Sequence, residues 1–307
     1  MPDPTNTAPL MLCAGEALTD MIDQGGEQWL SRVGGSVWNV ARALAVLGEP
    51  TAFAGAVSCD RFGDALWSAS EEVGLNLGLM QRVERSPLLA VVEKSEPPRY
   101  FFIGDDSADL HFDPEALPAE WLDSLRWAHF GGISLAREPL AGNLVALAES
   151  LKAQGVRISY DPNFRALMDE RYDPTLRRMT LLADVIKVSE EDLVGLLRTQ
   201  DADAAFATLR AWNPEASYLY TKGAQGASLH TPDGSWTMPA PRIEPVDTVG
   251  AGDASMAALA WSMLHRQDAG GLDHLRFAVA AGAAACLAAG ATPPSLDAID
   301  RLIAQMA

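Results

Sequence analysis

The stretch Val246-Asp247-Thr248-Val249-Gly250-Ala251-Gly252-Asp253, followed by Ala254-Ser255-Met256-Ala257, decides how the chain reads. Two glycines flank an alanine, a carboxylate follows, and small residues continue without proline to Trp261. This pattern predicts a loop that turns into a helix at about Gly250. The first N–H groups of a helix lack internal partners and sit at the positive end of its dipole, so an anion is well held there. Asp253 falls in the first turn, where its carboxylate can face that anion. Phosphoryl transfer to an alcohol needs this pairing: one group accepts the hydroxyl proton and the other neutralises charge on the moving phosphoryl. Taken alone, the stretch also reads as a glycine-rich turn with an ordinary first-turn acid, because short glycine motifs recur by chance.

The rest of the chain narrows the choice. Its 307 residues suffice for one large α/β domain with a small appendage. A formal charge of −18 argues against nucleic acid or an anionic membrane as partner. The same charge means that a polyphosphate must be met by local cations and a metal. Cys13, Cys59 and Cys286 lie far apart in apolar surroundings and read as buried thiols of a reducing compartment. Met1-Pro2-Asp3-Pro4 carries neither a basic region nor an apolar signal core. The longest apolar stretch, 277–291, is too short to span a bilayer, so a cytoplasmic protein is expected.

Along the chain, residues 9–15 read as a buried strand, with Glu16-Ala17-Leu18-Thr19-Asp20 leaving its carboxyl end. Polar groups there commonly meet ligands in open α/β sheets. Gly34-Gly35-Ser36 precedes a helical pattern over 37–47, with Ser36 a candidate N-cap and Asn39 in the first turn. Short β-rich runs at 87–93 and 99–103 have no helix between them, which predicts an antiparallel pair off the main sheet. From residue 126 strands and helices alternate, with Ser189 and Asp192 resembling a capping box. Helices are expected over 250–265, 272–289 and 296–306. The alternation predicts a mostly parallel sheet covered by helices on both faces.

These segments together resemble the ribokinase-like (PfkB) family of ATP-dependent carbohydrate kinases, over nearly the whole chain and in order. Gly34-Gly35 with Asn39 is similar to the family's N-terminal signature, and Asp247 to Asp253 to its C-terminal one. Between them lie Gly55 with Asp60, Phe62 and Gly63, then Asp161-Pro162-Asn163-Phe164-Arg165, Lys187-Val188-Ser189-Glu190-Glu191, and Thr221-Lys222-Gly223 with Gly226. Ser107-Ala108-Asp109 and Gly131-Gly132-Ile133-Ser134 are most similar to bacterial fructokinases. Val279 departs from the pattern, since such kinases often have asparagine on the adenine side.

The resemblance implies one ribokinase-like α/β domain over 1–307, with a central mostly parallel sheet and a small β lid inserted from about 16–34 and 86–112. It implies that Asp253 is the general base and that Gly250, Ala251 and Gly252 form the anion hole. Asn163 and Glu190 would help to hold Mg2+ through water, as suits hard oxygen donors. Arg165 and Lys187 would bring positive charge to the phosphates, with Arg165 an alternative sugar ligand. Thr221, Lys222, Gly223 and Gly226 would receive the ATP. Asp20, Gly34, Gly35, Asn39 and Asp109 would bind sugar hydroxyls. Carbonyls near Asp247, Val249 and Gly290 would hold a monovalent cation such as K+. Related kinases pair their lids, so a homodimer through residues 87–103 is expected.

The acceptor expected is fructose, phosphorylated at the 6-position. Asp105, Asp106, Asp109 and Asp113 crowd the lid stretch and Asp20 adds an acid on the opposite wall, which disfavours a carboxylate-bearing sugar. Arg99 and Arg165 are the cations that could accept one. The alternatives are 2-keto-3-deoxygluconate kinase and a non-catalytic sugar- and nucleotide-binding regulator.

Overall fold

Strands apolar on both faces need cover on both faces, and the chain supplies helices between them. In a computed structural model, residues 8–93, 99–118, 121 and 123–306 are described. Among these, β1 Met11–Ala14, β4 Thr51–Ser58, β5 Met80–Val83, β8 Trp127–Gly131, β9 Arg157–Asp161, β10 Val185–Ser189 and β11 Ser217–Thr221 form a parallel sheet. β12 Ala227–Thr231 and β13 Gly234–Met238 extend it antiparallel, in the order β13-β12-β11-β10-β9-β8-β1-β4-β5. Every residue of β4 is buried.

The helices divide between the two faces. α3 Leu140–Ala153, α4 Asp173–Leu182, α5 Glu190–Leu197 and α6 Ala202–Trp212 place Leu144, Leu176, Leu193 and Leu209 in one core. α1 Ser36–Val46, α2 Arg61–Glu72, α7 Ala251–His265 and α8 Gly271–Ala285 place Trp38, Leu66, Met256 and Leu275 in the other. α9 Leu296–Gln305 packs on α8 through Ile299 and Leu302. Ser189 and Asp192 make the reciprocal capping box expected at the start of α5.

A second, smaller sheet has the order β3-β2-β6-β7, from β2 Leu18–Gly25, β3 Gln28–Gly34, β6 Leu89–Glu93 and β7 Arg99–Ile103. β6 and β7 pair antiparallel as expected. Register places Asp20, Arg32, Ala90, Phe102 and Tyr100 on one face and Trp29, Phe101 and Ile103 on the other. The Arg99 side chain, the predicted cation on this sheet, lies outside the described residues, as does the N-terminal Met1-Pro2-Asp3-Pro4.

Several expectations are corrected. Residues 80–83, to which the sequence reading assigns no element, form a strand of the main sheet beside β4. α8 stops at Ala285, not Ala289, because the Cys286 carbonyl turns to accept N–H bonds from Val246 and Asp247. Gly290 in a left-handed conformation and Pro293-Pro294 then keep the chain out of a helix. Cys59 is exposed and Cys286 half-buried, so Cys13 is the cysteine that is buried as expected. Gly35, not Ser36, caps α1, and this frees the serine hydroxyl for another partner.

Candidate active site

The carboxyl ends of β1, β9, β10 and β11 meet the N-termini of α1 and α7. Gly250 caps α7 at φ 81°, a left-handed conformation that a side chain would resist. Asp253 follows in the first turn and is buried. Ser36 Oγ donates to its Oδ1 at 2.7 Å, and Asn39 Nδ2 donates to its Oδ2 at 2.8 Å. Burial raises the Asp253 pKa above the ordinary carboxylate range, while the bonds from Asn39 and Ser36, then Lys187 and Arg165, pull it back. The result is an oriented carboxylate of enhanced basicity beside the first N–H groups of α7, of which Ala251 N–H is turned to the Thr248 carbonyl at 3.3 Å.

Ser36 reads as a cap in the sequence, and its contact with Asp253 is the main feature that the sequence does not disclose. The available signal was its spacing, since Ser36 and Asn39 lie three apart and share one face of α1.

Lys187 is the residue expected, with Arg165, to bring positive charge to the phosphates. It is buried, with Nζ 2.9 Å from Asp161 Oδ2 and 3.8 Å from Asp192 Oδ2. Burial alone would discharge it, but the two carboxylates outweigh that and hold its pKa above the usual lysine range. Its Nζ lies 3.0 Å from where a side chain on Gly252 would begin. The charge therefore stands beneath the loop rather than before it. Asp161 itself is pushed up to about 6, by burial against the pull of Lys187.

Where sugar hydroxyls are expected, Asp20 lies against Gly34, leaving no room there for a side chain. A side chain on Gly35 would begin 2.8 Å from the Glu16 carbonyl oxygen. Asp20 is raised to about 6 by burial, lowered by Arg165 and raised again by Asp253. Arg165 stands 5.7 Å from the Tyr100 ring of β7, so the small sheet reaches across to the loop after β9. Asp109 is not free for a ligand. It is buried, accepts from Ser107 Oγ at 2.5 Å and is ion-paired with Arg137. Of the acids expected around it, Asp106 pairs with Arg85 at 3.4 Å and with His111 at 2.5 Å, and Asp113 caps the turn at Pro114–Ala116.

Asn163 adopts φ 44°, an uncommon conformation for a residue with a side chain, and its Oδ1 accepts from Arg165 Nη1 at 2.8 Å. Glu190 opens α5, with Oε1 3.5 Å from Lys222 Nζ. Lys222 lies 4.5 Å over the Tyr220 ring. Thr221 ends β11, and Gly223 and Gly226 bound the short turn that follows. The Asp247 carboxylate accepts Gly290 N–H at 2.8 Å and Val249 N–H at 3.1 Å, which brings these three residues into one cluster. Val279 is packed in the apolar cluster of α7 and α8.

The pattern of the pfkB family carbohydrate kinases matches residues 11–298. A fructokinase of Klebsiella pneumoniae is 34% identical over 253 residues, covering 80% of this chain and 81% of its own. The ATP-bound fructokinase of Xylella fastidiosa superposes with a TM-score of 0.85 at 29% identity, over 96% of this chain and 98% of that one. A double mutant of the Vibrio cholerae O395 fructokinase, in a form bound to fructose, ADP and potassium ion, superposes with a TM-score of 0.82 at 27% identity, over 96% and 98% of the two chains.

Proposed function

We propose, for a chain that belongs to the pfkB family of carbohydrate kinases, transfer of the γ-phosphoryl of ATP to the primary hydroxyl of fructose, giving fructose 6-phosphate. The single observation that carries the chemistry is Asp253, held by Ser36 and Asn39 one turn inside the start of α7. Asp253 removes the hydroxyl proton as the oxygen attacks. The N–H groups of Gly250, Ala251 and Gly252 take the charge of the moving phosphoryl, reinforced from beneath by Lys187. Preorganised donors of this kind supply much of the catalysis in this reaction class.

Asp20 and the backbone at Gly34 and Gly35 bind the acceptor, with Arg165 at the boundary of acceptor and phosphates. Asn39 serves the base more directly than the sugar. Asp109 acts through the ion pair that anchors its loop to Arg137. Thr221, Lys222, Gly223 and Gly226 receive the nucleotide, and the stem of Lys222 covers a ring as it covers Tyr220. The oxygens of Asn163 and Glu190 suit Mg2+ and would hold it through water, and the ion would supply positive charge to the phosphates. Both already face cations, Arg165 and Lys222, that the metal would displace. Asp247, Val249 and Gly290 fit K+, since the Asp247 carboxylate gathers both loops whose carbonyls would surround it. The small sheet acts as a lid within one domain spanning 1–307, and its outer face pairs two chains. No helix among the described residues is long and apolar enough to cross a membrane, in keeping with work in the cytoplasm.

A second reading, 2-keto-3-deoxygluconate kinase, draws on Arg165, a cation on the acceptor wall. Against it, Asp20 and Asp253 are both buried beside that wall, and a third carboxylate there is costly. Assay of purified enzyme with both acceptors, under the same magnesium and ATP, decides. The expected kcat/KM for fructose is at least ~10-fold higher, about 1.4 kcal/mol in transition-state binding. Preference for the acid overturns fructose and leaves the kinase. Absence of turnover with any sugar returns the non-catalytic regulator.

A further inference from the structure

Ser36, Asn39 and Arg42 recur at every third position of α1, each about 60° around the helix from the one before. The first two hold Asp253. Arg42, further round the helix, reaches a different element, the loop that α8 leaves behind. Its Nη1 lies 3.4 Å from the Ala291 carbonyl oxygen. Its guanidinium lies 4.5 Å over the Trp38 ring, a side chain that is itself fully buried. Burial works against the Arg42 charge, with Glu72 acting in the opposite sense, and its Nε is buried without a hydrogen-bond partner. An arginine kept in such a place at that cost is doing something that a leucine would not.

Ala291 is what Arg42 touches, and Ala291 packs against Gly250. A side chain on Gly250 would begin 2.8 Å from Ala291 Cβ and 2.9 Å from its Cα. One residue earlier, Gly290 N–H is held by Asp247, whose other oxygen holds Val249 N–H. The segment 290–291 is thus clasped to the 247–250 loop on one side and to α1 on the other. We propose that Arg42 is a positioning residue for the anion hole. It fixes Ala291 against Gly250, so that the first N–H groups of α7 keep their aim while α1 holds the base. One helix then sets both halves of the reacting geometry, the base through Ser36 and Asn39 and the anion hole through Arg42.

The inference rests on the kinase reading. A wild-type enzyme without turnover defeats that reading, whereas the tests below compare variants with an active wild type. Arg42→Met keeps the apolar stem over Trp38 and removes the guanidinium. It should lower kcat by roughly tenfold, with KM for the acceptor within about twofold and the acid limb of the pH profile unmoved, because Asp253 keeps both donors. Arg42→Lys, which retains the charge, should recover part of the loss. Adding guanidinium ion at low millimolar concentration to Arg42→Met should restore part of it, an effect that global loosening cannot produce. Calorimetric titration with ADP and fluoroaluminate, a mimic of the transferring phosphoryl, should show weaker binding in Arg42→Met while ADP alone binds as in wild type. If Arg42→Met folds poorly, the same titration on Arg42→Lys carries the test. Wild-type kcat in Arg42→Met, or equal weakening of ADP with and without fluoroaluminate, overturns the proposal.

Discussion

Asn39 Nδ2 donates to Asp253 Oδ2 across 2.8 Å, tying the first turn of α1 to the first turn of α7 although 214 residues separate them. Ser36 completes the grip on the other oxygen. Two donors on one buried carboxylate fix its direction and keep its charge tolerable. Removing the carboxylate should therefore cost more than removing either donor.

Asp253→Asn preserves shape and loses the proton acceptor, so kcat should fall by roughly 10²–10⁴-fold with ATP and sugar affinity little changed. Asn39→Ala removes one bond to the charged form, so the pKa of Asp253 rises further. The acid limb of its kcat/KM profile should move to higher pH, with kcat lowered by roughly tenfold. Turnover of Asp253→Asn within a few-fold of wild type would remove Asp253 from the mechanism.

Asp20 is pushed up to about 6 by burial, so below that pH it is protonated and is a weaker, uncharged acceptor for a sugar hydroxyl. The acceptor KM should rise as pH falls through about 6. Asp20→Asn should abolish that inflection while the limb due to Asp253 remains. Persistence of the KM inflection in Asp20→Asn would assign it elsewhere.

Glu16 is buried at the end of β1, accepts from Ser134 N–H at 3.3 Å and from Ser134 Oγ, and is raised to about 7 by burial, with Asp109 adding to the rise. An acid with a raised folded-state pKa contributes stability that is full below its unfolded value, ~4.3, and is lost as pH climbs toward the folded one. The wild type should therefore lose Tm between pH 5 and pH 8 in part through Glu16. Glu16→Gln should lose less over the same interval, measured by thermal unfolding at matched ionic strength. An identical pH slope for the two proteins would refute this.

Trp29, Phe101 and Ile103 are each about half exposed, at 48%, 47% and 53%, and share the face of the small sheet turned away from Asp20. An apolar sheet face of this kind is normally covered. Light scattering should find a dimer in dilute solution, and the pair Trp29→Ser with Phe101→Ser should shift it to monomer. A wild type that scatters as a monomer with full activity would exclude pairing through this face.

The α/β architecture was legible because alternating strand and helix periods, glycine stops and caps are local signals. The Ser189–Asp192 box and the start of α7 needed no tertiary information. Gly250 to Asp253 announced an anion site for the same reason, since a helix N-terminus exposes N–H groups wherever it occurs. The end of α8 was not legible, because it depends on the Cys286 carbonyl finding Val246 and Asp247 across a gap of about forty residues.

Side-chain partners were decided only by the folded chain. Lys187 reads as a phosphate cation in sequence, and Asp109 as a sugar ligand, because residue type reports charge but not neighbours. Packing put Lys187 against Asp161 beneath Gly252 and Asp109 against Arg137, where a buried charge without its counter-ion would be far too costly. Ser36 moved from cap to base-holder because a single residue, Gly35, took the cap instead. The sequence alone determined which elements form and where an anion can sit, through short-range backbone preferences. The tertiary structure decided which charges face one another, because a buried polar group is stable only beside the partner that the fold brings to it.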